Sequence, residues 1–341
     1  MESISQERRK TWQALIESTD MSKNSKKAWS TTRKFQGDPK APPQEPKVTS
    51  LKPGKAVGLD NISTEQIKNF GPKTKNWLLQ LYNSCLSTNK LPKIWKKAHV
   101  LALLKPGKDP SIPKNFRPIS LLSHLYKLFE RLILNRIGPV VDNLLIPEQA
   151  GFRPGKSTTS QVLNLTQFIE DGFEEGEVTG VVFVDLSAAY DTVNHRCLLH
   201  KILELTKDIR FTELIVESML ENRHFYVELG SKKSRWRRLK NGLPQGSVLA
   251  PLLFNIYTND QPRCEGTRRF IYADDLGIAA QDRDFSIVEE RLTLSLDKLT
   301  PYYEENHPSG HDVVSICIFD IEQRRRRRKN DHRCRFDVDQ T

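Results

Sequence analysis

The amino-acid sequence predicts an α+β fold, and three observations support this prediction. Residues 62–87 and 121–141 carry apolar side chains at the spacing of helix faces. Residues 181–184 are β-branched or aromatic, as in a buried strand, and the chain that follows is typical of a helix start. A second short apolar run, at residues 270–276, is predicted to form a hairpin. Helices and strands therefore follow one another along the chain.

The remaining elements follow from the same patterns. Residues 1–55 hold twelve Lys/Arg against six Asp/Glu and are dense in proline near residues 38–46. We therefore predict a basic, largely disordered linker there, with one short helix near residues 7–16. Beyond it we predict a strand at residues 98–104, helices at residues 196–205, 212–221, 249–257 and 287–305, and a hairpin of residues 225–229 and 236–239.

Two adjacent carboxylates, Asp274 and Asp275, lie inside the apolar run at residues 270–276. Burial of an unpaired carboxylate is costly, so this pair indicates a bound cation. For this segment alone, a hairpin tip that exposes both acids to water is an equal alternative. A third acid, Asp185, directly follows the strand at residues 181–184, at a position where catalytic groups are common.

Carboxylates from two strands would form a site rich in oxygen. Mg²⁺ prefers carboxylate, water and phosphate oxygens. Two such ions about 3.5–4 Å apart would stabilise both the entering and the leaving oxygen of an in-line phosphoryl transfer. The three acids therefore favour polymerase chemistry.

A loop rich in glycine and proline, at residues 241–247, precedes the apolar helix predicted at residues 249–257. Small residues would let its backbone approach a base or a sugar, and a helix N-terminus favours phosphate. An ordinary helix entry is the alternative for this loop taken alone.

Five blocks of the sequence, in their order along the chain, resemble the reverse transcriptases of non-LTR, LINE-type retrotransposons. The three downstream blocks resemble motifs A, B and C, and the two upstream blocks resemble the fingers of this branch. The blocks are residues 115–122 (NFRPISLL), 148–158 (EQAGFRPGKST), 183–191 (FVDLSAAYD), 242–247 (GLPQGS) and 272–275 (YADD). The resemblance covers roughly residues 50–305. It implies an RNA-directed DNA polymerase that extends a DNA primer with dNTPs on an RNA template, using two Mg²⁺ ions, with Mn²⁺ as an alternative.

The resemblance also implies roles for single residues in catalysis. Asp185 and Asp274 match the two acids that bridge both metal ions, and Asp275 matches the third carboxylate. Tyr190 matches the aromatic side chain that stacks under the incoming sugar and excludes a 2′-hydroxyl. A DNA product is therefore expected.

Two further segments are placed near nucleic acid by the resemblance. Gln245 and Gly246 match the loop that lies against the template–primer and the incoming base. Residues 153–159 match a block that contacts the template strand. Asp191, at the end of the motif A block, is expected instead to cap or pair locally.

Phosphate contacts are predicted for the segment between residues 90 and 131. Ten Lys/Arg stand there against two Asp/Glu, an excess too large for an ordinary mixed surface. Arg117 matches the family's arginine beside the triphosphate, and Lys105 is a second candidate for a phosphate contact. Some of the other lysines are expected on a solvated helix face.

The overall composition agrees with a polyanionic partner. The net charge is +11 and the pI is about 9.3, which favours nucleic acid, although an acidic membrane surface is the alternative on charge alone. The sequence has no run of about 20 apolar residues and no signal-like N-terminus, so we expect an intracellular protein, nuclear or cytoplasmic, that neither spans a membrane nor is secreted. The five scattered cysteines argue against a disulfide framework and a zinc knuckle.

The resemblance divides the chain into a linker and two polymerase regions. We expect the linker at residues 1–55, fingers at residues 56–178, a palm at residues 179–306 and a tail outside the family pattern at residues 307–341. A thumb and the lysine that would protonate pyrophosphate are missing from their expected places, as in a C-terminally truncated or frameshifted fragment. The alternative to an active polymerase is an inactive relic that at most binds nucleic acid.

Overall fold

The computed structural model describes residues 51–186 and 188–306, which form helices and strands in mixed order. The expectations for residues 1–50 and 307–341 lie outside these described residues. The helices are α1 (Thr64–Lys68), α2 (Pro72–Thr88), α3 (His124–Asp142), α4 (Thr158–Glu175), α5 (Ala189–Thr192), α6 (His195–Thr206), α7 (Ile209–Glu213), α8 (Ala250–Tyr257) and α9 (Phe285–Asn306). The strands are β1 (Lys97–Leu104), β2 (Phe116–Leu121), β3 (Val178–Val184), β4 (His224–Leu229), β5 (Lys232–Lys233), β6 (Arg237–Arg238), β7 (Thr267–Tyr272) and β8 (Asp275–Asp282). The predicted mixture of helices and strands is confirmed.

Most predicted elements agree with the structure apart from small shifts at their ends. The helices predicted at residues 121–141, 196–205, 249–257 and 287–305 correspond to α3, α6, α8 and α9. The segment predicted as one helix at residues 212–221 instead contains the end of α7 and a π-helix, Leu214–Leu220. Among the described residues, none of the helices has the length and apolar composition needed to cross a membrane.

The single helix predicted at residues 62–87 is two helices, α1 and α2, which are separated near Gly71. α2 begins with Pro72, whose missing N–H costs nothing there because that position has no helical acceptor. α1 begins with a capping box, in which Ser63 and Gln66 each accept from the other's backbone N–H. Pro72 and the capping box thus set the starts of two separate helices, although the continuous apolar spacing predicted a single one.

A three-stranded antiparallel sheet lies in the second half of the chain, in the order β3–β8–β7. Its register pairs Val184 with Leu276 and Tyr272 with Asp275, so the end of β3 lies beside the turn between β7 and β8. Helix α9 packs so closely on one face that a Cβ at Gly180 would lie 2.6 Å from the Val288 side chain. Helix α4 covers the other face, where Phe168 contacts Phe270.

A separate five-stranded sheet is built around β1. Strand β1 pairs antiparallel with β2 and parallel with β4, and β4 pairs in turn with β5 and β6. The hairpin at residues 225–239 therefore joins strands from residues 97–121, whereas the sequence pattern placed it with the elements after residue 179. Local pattern identifies a strand, but the choice of its partner depends on contacts between distant segments.

An aromatic cluster connects α2, the short 3₁₀ helix Lys93–Lys96 and α3. The ring centroid of Phe129 lies 5.4 Å from that of Tyr82 and 6.0 Å from that of Trp95. The Tyr82 hydroxyl donates to the Leu125 carbonyl oxygen at 2.8 Å, so this buried polar group is satisfied. The cluster fixes α3, which contributes to the site described below.

We expect Phe129→Ala to lower the free energy of unfolding by about 3–5 kcal/mol, because Phe129 is fully buried and its removal leaves a cavity. Urea denaturation measures the change. Phe285→Ala is the matched control, since Phe285 is 42% exposed at the start of α9, and it should change the stability by about 0.5 kcal/mol or less. Equal losses in the two variants would contradict the central position of Phe129.

Candidate active site

The three acids predicted from the sequence are brought to one edge of the three-stranded sheet. Asp185 directly follows β3, and Asp275 is the first residue of β8. Asp274 lies with Ala273 in the two-residue turn between β7 and β8. The segment is therefore a hairpin tip, as the alternative expected. It nevertheless does not simply expose its acids, because Asp274 is partly buried and faces the charge of Asp185.

Like charges crowd this edge of the sheet. Burial raises the pKa of Asp274, and the nearby charges of Asp275 and Asp185 raise it further. Within residues 51–186 and 188–306, no lysine, arginine or histidine forms an ion pair with any of the three carboxylates. The site therefore holds negative charge that the described protein groups leave uncompensated.

The chemistry of these carboxylates fits the divalent metal ions that the resemblance implies. Uncompensated carboxylate oxygens are the hard ligands that Mg²⁺ takes, and Mg²⁺ usually keeps waters and substrate phosphates beside one or two protein carboxylates. In the described part of the chain, no three Asp, Glu, His or Cys side chains are already gathered as a metal cage. Such a partial set of ligands agrees with an ion that shares its coordination with a substrate.

Tyr190 lies between these acids and the apolar helix α8. Its ring stacks on Phe254 with the centroids 4.7 Å apart and the planes at 15°. Burial and the negative charge of Asp274 both raise the pKa of its phenol. The hydroxyl is buried and has no hydrogen-bond partner among the described residues. The ring is thus held rigidly next to the carboxylates.

The loop at residues 242–247 is fitted between α5 and the end of β2. Gly242 has φ +85°, and a Cβ there would lie 2.6 Å from the Asp191 carbonyl oxygen. Gly246 has φ +120°, and a Cβ there would lie 2.7 Å from the Ser120 carbonyl oxygen. The Ser120 N–H donates to the Gln245 carbonyl oxygen at 2.8 Å. Glycine is therefore required at both positions, by conformation and by lack of space.

The carboxylate of Asp191 contacts the side chain of Gln245 in this loop. The Gln245 amide nitrogen lies 3.3 Å and 3.4 Å from the two carboxylate oxygens of Asp191. Loss of hydration raises the pKa of Asp191, and the contact with Gln245 partly opposes that rise. Asp191 is thus paired with a residue 54 positions away in the sequence, rather than with a local partner as expected, and this contact links motif A to motif B.

Glu130 is a residue of the site that the sequence analysis did not identify. It lies on α3, is fully buried, and accepts hydrogen bonds from the Ser247 hydroxyl and, at 2.9 Å, from the Val248 N–H. Burial raises the pKa of its carboxyl. The only feature of the sequence that could have identified Glu130 is its place as a single acid on the apolar face of a helix, between Tyr126 and Ile133. Such an acid must find hydrogen-bond donors when it is buried.

Arg117 and Lys105 lie at the border of the five-stranded sheet. Arg117 is exposed on β2, opposite Leu103. Lys105 follows β1, and its backbone N–H donates to the Asn115 carbonyl oxygen at 2.8 Å. Neither side chain has a partner among the described residues, and neither is bonded to the carboxylates. Ser120, at the other end of β2, connects this strand to the motif B loop.

The basic side chains of the block at residues 153–159 are engaged inside the protein. The Arg153 guanidinium donates to the Asp142 carboxylate at 2.7 Å and to the Ile146 carbonyl oxygen at 2.6 Å. Lys156 donates to the carbonyl oxygens of Pro147 and Gln149. These two side chains therefore shape the loop after α3, and the template contact that the resemblance implied for this block stays a prediction.

Comparison with known proteins assigns this fold and site to a family. Residues 103–300, more than half of the chain, match the family model described as reverse transcriptase (RNA-dependent DNA polymerase). A probable RNA-directed DNA polymerase from transposon BS of Drosophila melanogaster is 39% identical over 63% of the chain and 24% of its own length. The RNA-directed DNA polymerase from mobile element jockey of Drosophila funebris is 35% identical over 68% of the chain and 26% of its own length.

The chain belongs to the reverse transcriptase family, and the resemblance to enzymes of non-LTR retrotransposons is confirmed. The chain spans about a quarter of the length of these relatives.

We expect Asp274→Asn to raise the melting temperature at neutral pH, without divalent metal, by roughly 2–4 °C, the shift that about 1 kcal/mol produces in a domain of this size. The raised pKa means that the folded state binds this proton more tightly than the unfolded state, so the wild type loses stability as the pH rises through that range. Asp274→Asn cannot ionise, so it does not lose this stability. Its higher melting temperature relative to the wild type should therefore be seen at neutral pH and disappear below pH 3.8, the ordinary pKa of an aspartate.

The control for this prediction is Asp297→Asn, which removes an exposed acid from α9. Melting curves of both variants in a metal chelator, from acidic to neutral pH, make the comparison. An equal gain in both variants, or no gain for Asp274→Asn at neutral pH, would show that crowding of like charge does not strain this site.

Proposed function

We propose that this chain is the catalytic domain of a non-LTR retrotransposon reverse transcriptase, which extends the 3′-hydroxyl of a DNA primer with dNTPs on an RNA template. The observation that carries the proposal is the convergence of Asp185 and Asp274, from two strands, beside Tyr190. Membership of the family supports the reaction, and the grouping of the three acids at one edge of the sheet supports their part in it.

In this proposal the three-stranded sheet with α6, α8 and α9 is the palm. The five-stranded sheet with α2 and α3 forms the fingers. Because β4 pairs with β1, the hairpin of β4, β5 and β6 belongs to the fingers although it follows the first palm strand in sequence. The chain therefore crosses the proposed boundary between the two regions three times.

The acids hold the reacting groups in place. Asp185 and Asp274 would bind two divalent ions, with Asp275 adding negative charge beside them. When bound, two Mg²⁺ ions stabilise the entering and leaving oxygens of an in-line phosphoryl transfer. The protein's own contribution is to keep partly dehydrated carboxylates close together before substrate arrives, which is supported by the raised pKa of Asp274.

Tyr190 would select the sugar of the incoming nucleotide. Its ring is stacked on Phe254 and its backbone carbonyl accepts from the Leu243 N–H at 2.7 Å, so it has little freedom to move aside. A rigid ring at the position of the 2′-carbon would collide with a ribose hydroxyl but would accept a deoxyribose. Discrimination would then rest on the shape of the ring, because the phenol hydroxyl is buried.

The loop and the basic strand would contact the nucleic acid. Gln245 and Gly246 would lie against the template base and the primer. Arg117 and Lys105 would neutralise the triphosphate, since both have side chains without partners in the described structure. The net charge of +11 favours an RNA–DNA duplex as the macromolecular substrate.

Primer extension tests this proposal. We expect the wild-type chain to extend a DNA primer on an RNA template with dNTPs and Mg²⁺, and we expect Asp274→Ala to lower the rate by at least about 1,000-fold. Asp297→Ala, which removes an exposed acid, is the control and should retain wild-type rates. Extension that survives Asp274→Ala would contradict the role of this carboxylate. Duplex binding without extension by the wild type would instead favour a relic that only binds nucleic acid.

The sugar-selection role of Tyr190 gives a separate prediction. Tyr190→Ala should increase the ratio of ribonucleotide to deoxyribonucleotide incorporation by about tenfold or more, because the obstructing ring is gone. Tyr190→Phe keeps the ring and removes only the hydroxyl, so its ratio should stay within about threefold of the wild type. A ratio unchanged in Tyr190→Ala, measured by single-nucleotide extension, would contradict the proposed role.

A further inference from the structure

The turn that carries Asp274 has an unfavourable backbone conformation. Ala273 has φ +59°, in the left-handed region that residues with a Cβ rarely occupy. It is the first of the two residues that connect β7 to β8, and the strands themselves pair only up to Tyr272 and Asp275. A two-residue hairpin imposes this conformation on its first residue, which is usually glycine, so the strain at Ala273 must be offset by contacts from outside the hairpin.

The side chain of Gln149 supplies this support. Its amide oxygen accepts from the Ala273 N–H at 2.8 Å, and its amide nitrogen donates to the Ala273 carbonyl oxygen at 3.1 Å. The same oxygen also accepts from the Gly151 N–H at 2.7 Å. Gln149 is 2% exposed, so these bonds do not compete with water. One buried amide thus satisfies both backbone groups of the strained residue.

The segment around Gln149 is itself fixed against β7. Gln149 forms an isolated parallel bridge with Ile271, and the Ala150 N–H donates to the Ile271 carbonyl oxygen at 2.8 Å. Gln161, from α4, donates to that same carbonyl oxygen at 3.2 Å. The backbone of the segment that carries Gln149 is therefore bonded to β7 at Ile271, two residues before Ala273.

Close packing leaves no room for the turn to shift toward this segment. A Cβ at Gly151 would lie 2.1 Å from the Ala273 nitrogen and 2.6 Å from its Cα. Because no side chain stands between them, the backbone of the segment touches the backbone of the turn. Hydrogen bonds from Gln149 and steric contact with Gly151 together define the position of Ala273.

We propose that Gln149 is the positioning residue of the active-site turn: its amide holds Ala273 in the left-handed conformation and thereby sets the position of the Asp274 carboxylate. The role of Asp274 in metal binding rests on the proposed function. The effect on the turn does not, because it follows from contacts with Ala273 alone.

Hydrogen exchange without divalent metal tests the effect on the turn. Gln149→Met keeps the volume of the side chain and removes its hydrogen bonds, so the Ala273 amide should exchange at least about tenfold faster. The matched control is Gln261→Met, since Gln261 is also buried but donates to the Tyr303 hydroxyl. It should leave the exchange of residues 271–277 within twofold of the wild type. Exchange at Ala273 that is unchanged in a folded Gln149→Met protein would overturn the proposal.

Binding of Mn²⁺, measured by electron paramagnetic resonance, tests the consequence for Asp274. Gln149→Met should weaken Mn²⁺ binding by about tenfold, and Gln261→Met should not. In primer extension, Gln149→Met should lower kcat by a similar factor while the affinity for the RNA–DNA duplex stays unchanged, a split that general loss of stability would not produce. Faster exchange at Ala273 together with an unchanged Mn²⁺ affinity in Gln149→Met would overturn the claim that Gln149 sets the position of the Asp274 carboxylate.

The two proposals can fail separately. A wild-type protein that binds no Mn²⁺, together with faster exchange at Ala273 in Gln149→Met, would refute the proposed function and support the positioning of the turn. If Gln149→Met does not fold, Gln149→Asn replaces it, because the same amide on a side chain one methylene shorter cannot reach both groups of Ala273. The expected results are then the same.

Discussion

The burial of carboxylate charge at the edge of the three-stranded sheet is the constraint on which the rest of the structure depends. Asp274 is partly buried and faces the charges of Asp185 and Asp275, and its raised pKa is the direct consequence. No basic side chain among the described residues relieves the crowding. The arrangement persists because the antiparallel register of β3 and β8 fixes the backbone on both sides of the site. A sheet can hold such charges together because its register cannot change without turning every side chain to the opposite face.

Two buried polar side chains, one for each loop of the site, complete this support. Gln149 bonds both backbone groups of Ala273, and Glu130 accepts from Ser247 and Val248 at the end of the motif B loop. Both are placed by elements that precede the site in sequence. In each case a side chain that would be costly to bury alone is satisfied by hydrogen bonds to the loop, mostly to backbone groups. Each loop of the site is therefore attached to the domain by one buried polar side chain.

The motif B loop also joins the two sheets. Its Gly246 lies against the Ser120 carbonyl oxygen of β2, and the Gln245 side chain contacts Asp191, close to the end of β3. A movement of β2, which carries Arg117, would therefore reach the acids through a single loop.

The sequence by itself determined the existence of most helices and strands, the identity of the three acids and the family. These features are local: apolar spacing, β-branched runs and short motifs are written in consecutive residues. The tertiary structure alone decided that β4 pairs with β1, that Arg153 is used inside the protein, and that Gln149 and Glu130 hold the two loops. Each of these facts depends on contacts between residues far apart in the chain. A buried glutamine or glutamate carries no sign of its partner in the neighbouring sequence. Most of these partners are backbone groups, which any residue can provide, and the Ser247 hydroxyl that bonds Glu130 is far away in the chain.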